Sequence, residues 1–230
     1  MAAACAAASA LLLYAAFPPL EWTWAGGIAL VPLLVAVRRV PGRMALKMGF
    51  AAGFLFWLLG IRWLTHVTVA GWIGLSAYCA LYFLPAVWMA NRWRGGAAGF
   101  AASLAVVWCG CEFLRGWIGG GFPWNPIGVA LTPWLPAIQI AEFGGVWLVS
   151  GLAVFANALL AWAAAERRGW GALAVCALAV AAILGWGAWR ADHLPKPDRS
   201  IRVALVQTAI PQDEKWVAAK ILMIYERLAD

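Results

Sequence analysis

Apolar positions in this chain come in long unbroken runs, separated by short clusters of charge, glycine and proline. Residues 1–20 carry no charge and end at Phe17-Pro18-Pro19, which predicts a first spanning helix. No basic region precedes this run and a second apolar run follows at once, which argues against a cleaved leader. Residues 22–37 predict a second, short segment closed by Arg38, Arg39, Arg43 and Lys47. Residues 48–61 form the core of a third, with Lys47 and Arg62 placed to snorkel from its ends. Residues 71–90, 95–111, 143–165 and 169–189 predict the fourth to seventh. Each run is near the ~17–25 residues that cross a hydrocarbon core, except the second and third, which need their flanks.

Two stretches break this pattern. Residues 117–136 read "WIGGGFPWNPIGVALTPWLP", with three consecutive glycines and prolines at 123, 126, 133 and 136. No continuous helix survives so many breakers, and irregular backbone does not face lipid directly. An interfacial or re-entrant loop packed on the bundle is expected. After Trp189 the chain turns polar. Residues 191–200 read as a linker, 201–207 as a short β-branched strand, and Trp216 opens a helical pattern. Val217, Ile221, Ile224 and Leu228 then form one apolar stripe. A lone strand has no partner for its ladder hydrogen bonds. The sequence therefore reads as the front part of a longer protein.

Composition agrees with a lipid-embedded chain: 65% of residues are hydrophobic and 12% charged, against ~25% charged in a soluble domain. The net charge of +7 does not mark a nucleic-acid surface, because the basic residues are scattered between apolar runs. They collect in every second connection, after the second, fourth and sixth segments, as cytoplasmic loops do. The N-terminus is expected in the cytoplasm, and seven spans would deliver the C-terminal part to the periplasm. Many of the 17 Trp sit near segment ends, as in an interfacial aromatic belt. The five cysteines all fall in apolar runs, with no metal-ligand spacing and no disulfide framework, so they read as packing residues.

No G-x-S-x-G, H-E-x-x-H, phosphate-binding or dinucleotide motif is present. Glu112 and Arg115 stand i, i+3 at the outer end of the fifth segment, close enough to pair on a helix. Ionisable residues near membrane depth are functional candidates, with snorkelling as the plainer reading. From the residues alone this is a polytopic membrane protein of open activity.

Two motifs go further. "CEFLRGWIGGGFPWNPIG" (111–128) and "VALVQTAIPQDEKW" (203–216), in this order and after this many spans, resemble the apolipoprotein N-acyltransferases. Residues 111–128 are similar to that family's periplasmic-side membrane motif. Residues 203–216 resemble the opening of its nitrilase-like, carbon–nitrogen hydrolase domain. "GGVWLVSGLAVFANALLAW" is similar to the next spanning helix. The resemblance implies an inner-membrane acyltransferase with two partners in the bilayer: a phospholipid acyl donor and the diacylated N-terminus of a lipoprotein. It implies a Glu–Lys–Cys set, a covalent acyl-thioester, and no cofactor or metal. Those three residues are expected beyond Asp230, and the present cysteines do not occupy the nucleophile's place. Trp216 matches a residue such enzymes need, and Phe122, Pro123 and Trp124 lie in the membrane motif. With Glu112 and Arg115 these are the substrate-binding or supporting candidates.

The expected fold is an all-α polytopic bundle of about seven spanning helices over 1–190, followed by a linker. The first strand and helix of a truncated α/β nitrilase-like (αββα) domain would occupy 201–230. The other reading is a non-catalytic membrane anchor or lipid-binding scaffold. A transporter is disfavoured because several spans carry almost no polar residues.

Overall fold

The computed structural model describes residues 2–166, 170–194, 200–205, 207, 210 and 217–229. The chain divides into two units, Met1–Leu194 and Pro195–Asp230. Helices of the first unit, numbered in chain order, begin with α1 (Ala2–Ala15), α2 (Thr23–Gly26), α3 (Val31–Val37) and α4 (Gly42–Gly60). They continue with α5 (Val69–Ala80), α6 (Leu84–Arg92), α7 (Ala97–Arg115), α8 (Leu135–Ile138), α9 (Ala141–Glu166) and α10 (Trp170–Asp192).

Five helical stretches among the described residues are long and apolar enough to cross a membrane: Gly42–Gly60, Val69–Arg92, Ala97–Arg115, Ala141–Glu166 and Leu173–Asp192. Together they make this a multi-pass membrane protein. The seven expected segments correspond to these five and to two shorter apolar pieces, Ala2–Ala15 and Thr23–Val37. At 1.5 Å per residue α1 is roughly 21 Å long, below the ~30 Å of a hydrocarbon core. Span boundaries also move outward. α4 starts at Gly42 rather than near residue 48, because Arg43 and Lys47 fit in the opening turns, where their charges reach the interface. The Val69–Arg92 span tightens into a 3-10 turn at Leu81–Phe83. Pro85, which has no N–H to give the preceding turn, accounts for it.

The second segment departs most from expectation. It breaks after Gly26, and the bond from Leu30 N–H to Gly26 C=O that would continue a helix is replaced by a side chain from α9. Asn157, fully buried, accepts from Leu30 N at 2.8 Å and donates to Gly26 O at 2.9 Å. Ser9 of α1, also fully buried, accepts from Leu33 N at 2.9 Å. Backbone opened at membrane depth must be satisfied internally, and these two polar side chains do so.

One end of the bundle is locked by Arg38. Its guanidinium meets the Glu166 carboxylate at 2.6 Å, donates to Ala90 O, and lies 4.9 Å from the Phe100 ring and 4.8 Å from that of Trp162. Asn91 donates to Val37 O and Val40 O beside it. The ends of α3, α6, α7 and α9 are thereby fastened together. The opposite end carries the broken stretch between α7 and α9.

In the second unit, residues 200–205 form no strand. The strand expected over 201–207 has no partner among the described residues to complete a ladder, and Ile201, Val203 and Leu205 are exposed. A 3-10 turn at Ala218–Lys220 leads into α11 (Ile221–Ala229), five residues later than the pattern beginning at Trp216 suggested. Trp216 itself lies outside the described residues.

Candidate functional site

The last turn of α7 brings Glu112 and Arg115 to one face, as their spacing predicts, and buries both. The expected ion pair between them does not form. Ion pairs form elsewhere instead, at Arg38–Glu166 and Arg190–Glu142. Each member of the α7 pair is turned instead to the backbone of the stretch that follows. Arg115 donates to Phe122 O and Trp124 O, both at 2.6 Å, while its own carbonyl accepts from Phe122 N at 2.7 Å. Glu112 Oε1 accepts from Ile127 N and from Trp108 Nε1, both at 2.8 Å.

The loop needs these partners because its sequence cannot make a helix. Gly119, Gly120 and Gly121 have φ of 66°, 91° and 78°, the left-handed region that glycine enters without penalty. Pro126 then leads into a 3-10 turn, Ile127–Leu131. Glu112 caps that turn at Ile127, and Ser150 of α9 accepts from Gly128 N at 2.9 Å. Ile127, Ala130 and Leu131 are buried, so this part packs into the bundle. Gly128 permits the approach: a Cβ there would lie 2.7 Å from Val146 O and 2.8 Å from Ser150 N.

Aromatic rings fix the near side. The Arg115 guanidinium lies 4.6 Å from the Trp57 ring, Trp57 meets Phe122 edge-on, and Phe122 stacks on Trp124 at 5.4 Å. Trp124 also touches Trp63. Pro123 sits between the two carbonyls that Arg115 holds. Tyr78 donates to Ile118 O at 2.8 Å and shares a 2.7 Å bond with Tyr82. Five of the six sequence candidates therefore belong to one assembly, and the sixth, Trp216, lies outside the described residues.

Trp57, Tyr78, Tyr82, Trp108 and Ser150 were not anticipated. Their one sequence signal is a polar group inside an otherwise apolar span, which has no periodicity to distinguish it. Among the described residues no group of three or more His, Cys, Asp or Glu could hold a metal ion. The assembly turns its buried charged groups to the loop backbone. What it does is hold a Gly- and Pro-rich loop in one shape, with Trp117, Trp124 and Trp134 exposed around it.

Comparison with known proteins bears on the same region. The family model described as apolipoprotein N-acyltransferase N-terminal domain matches residues 9–159, which include the whole loop assembly. Among curated relatives, an apolipoprotein N-acyltransferase of Geobacter metallireducens is 31% identical, over 96% of this chain and 46% of its own length. One of Gloeobacter violaceus is 32% identical over 87% of this chain and 42% of its own. One of Chromobacterium violaceum is 34% identical over 93% and 43% respectively. The chain thus spans less than half the length of the curated relatives it matches.

Proposed function

The chain belongs to the apolipoprotein N-acyltransferase family, and on that premise we propose that it supplies the membrane part of a lipoprotein-acylating enzyme. The proposed reaction moves an acyl group from a phospholipid to the α-amine of the diacylglyceryl-modified N-terminal cysteine of a bacterial lipoprotein. Through a thiolate it proceeds in two steps. The thiolate displaces lysophospholipid to form a thioester, and the amine then displaces the thiolate. Both substrates are anchored in lipid, so the protein that joins them must present a shaped surface at the bilayer.

The observation that carries this reading is the clamped loop at 117–136. It is buried on one side by Glu112, Arg115 and Ser150, and it exposes a rim of Trp on the other. Loop charge supports a cytoplasmic N-terminus in the bacterial inner membrane, with the loop and the residues after 190 on the periplasmic side. The Glu–Lys–Cys set that the resemblance implies is not assembled among the described residues. We therefore expect the 230-residue chain alone to form no acyl-thioester.

A second reading, a lipid-binding scaffold without catalysis, is favoured by one feature. An apolar groove of about 600 Å³ opens between α7, α9 and α10, lined by residues such as Val106, Leu148, Phe155 and Val180. At membrane depth such a groove takes hydrocarbon. A chimera separates the two readings: residues 1–194 replace the corresponding part of the Chromobacterium violaceum relative, and lysophospholipid release and lipoprotein N-acylation are measured. The enzyme reading expects activity. It fails if the chimera inserts and folds yet releases no lysophospholipid while the parent does.

A further inference from the structure

An apolar groove of about 260 Å³ runs between α1 and α4. The two helices point the same way: Ala2 and Met44, near their starts, line the groove together, while Phe17 and Phe56, near their ends, pack ring against ring. Ala6 and Met48 on its lining are buried, whereas Ala3, Met44 and Ala51 are exposed, so the groove opens outward from the bundle. Its α1 side is alanine throughout, and side chains that short leave the space beside α4 unfilled.

Charge marks one end of this groove. Lys47 is the charged member of the lining, and it is exposed. Helical side chains lean toward the N-terminus, which carries Lys47 toward the Gly42 end of α4. Arg43, also exposed, stands four positions earlier and shares its face, and like charges so placed repel. No acidic residue occurs between Glu21 and Glu112 in the sequence, and Glu166, at this end of the bundle, is held by Arg38. Among the described residues neither Lys47 nor Arg43 enters an ion pair. An apolar trough thus ends at cations with no carboxylate of their own.

We infer that the groove binds one anionic phospholipid, with an acyl chain lying along α1 and α4 and the headgroup at Lys47 and Arg43. The dimensions select the chain. From Met44 to Leu55 α4 rises roughly 16 Å, so 260 Å³ leaves a mean section of roughly 16 Å². A partner helix 10–12 Å across needs roughly 80–110 Å², whereas a single hydrocarbon chain is slender enough. Charge selects the headgroup, because a net-neutral lipid leaves the cations uncompensated and a free phosphate leaves the apolar trough empty. The lipid belongs to the leaflet that meets the basic connections, at the opposite end of the bundle from the 117–136 loop. Its role is to pack the short α1 against α4, and it rests on the fold rather than on the acylation reading.

Photo-crosslinking of the full chain in phosphatidylcholine nanodiscs tests this. The probes are phosphatidylglycerol and phosphatidylethanolamine carrying the same diazirine-labelled acyl chain, with adducts mapped by peptide mass spectrometry. Adducts on residues 2–7 and 44–55 are expected at least about fivefold more often from phosphatidylglycerol, the worth of one basic residue toward anionic lipid. Lys47→Gln should lower them about fivefold, while Arg94→Gln, exposed at the same end of the bundle, leaves them unchanged. Equal labelling by the two lipids, or Lys47→Gln without effect, would overturn the site. Ala51→Leu fills the groove from an exposed position and should strip the adducts from residues 2–7. Adducts that persist there at parental frequency would overturn it equally. Acyl transfer is not read in any arm, so failure here is distinct from failure of the proposed reaction.

Discussion

Replacing Asn157 by Leu removes three hydrogen bonds at a fully buried position while keeping side-chain volume close to constant. One of the three, to Ala153 O within α9, is dispensable because that carbonyl keeps its helical partner. The other two are not. Leu30 N–H and Gly26 C=O face each other across the break between α2 and α3, and Asn157 is the group between them. Two orphaned backbone groups at about 1–3 kcal/mol each give a ceiling of about 6 kcal/mol. Interhelical hydrogen bonds in membranes average only ~0.6 kcal/mol, because the unfolded reference also finds partners, which sets a floor near ~1 kcal/mol for two. Here the partners are backbone and cannot rotate away, so a loss of about 2–4 kcal/mol is expected. Reversible unfolding in mixed micelles with rising SDS fraction measures it. Ser9→Ala, which orphans only Leu33 N–H, should cost about half as much. If Asn157→Leu unfolds within about 0.5 kcal/mol of the parent, an ordinary surface-substitution effect, the side-chain splice of the second segment is wrong.

Gly128→Ala places a methyl against Val146 O and Ser150 N, both backbone atoms that cannot step aside. A loss of about 1–3 kcal/mol is expected, read in the same micelle titration. Arg38→Ala forfeits a part-buried ion pair at about 1 kcal/mol and two cation–π contacts at about 0.5–1 kcal/mol each, for roughly 2–3 kcal/mol in all. A smaller change would show that the Arg38 end is not a lock. Arg115→Lys keeps the charge but loses the planar fork that reaches two carbonyls. Limited proteolysis within 117–126 should accelerate several-fold, whereas unchanged cleavage would remove Arg115 as the clamp. For orientation, single cysteines at Arg43 and Trp134 in a cysteine-free background are probed with a membrane-impermeant maleimide on intact spheroplasts. Labelling at 134 and not at 43 is expected, and the reverse pattern would invert the topology.

Sequence by itself determined that the chain lives in lipid and where five of its spans run. Length and polarity of an apolar run are one-dimensional properties, and the bilayer reads them without reference to neighbours. It also located the loop, because Gly119 to Gly121 and the four prolines forbid a helix whatever surrounds them. Glu112 and Arg115 stood out because charge at that depth is costly. Tertiary structure alone decided what they hold. Their i, i+3 spacing suggested each other, yet the carbonyls of Phe122 and Trp124 and the amide of Ile127 offered each group a partner that also needed one. The break at Gly26 was invisible for the same reason: its satisfaction comes from Asn157, 131 positions along the chain. Residues 201–205 show the converse limit, since a β-branched run states a preference, and a strand exists only where a neighbouring strand accepts its hydrogen bonds. Spans follow from the local run of residues, whereas every polar contact inside the bundle is settled between segments that only folding brings together.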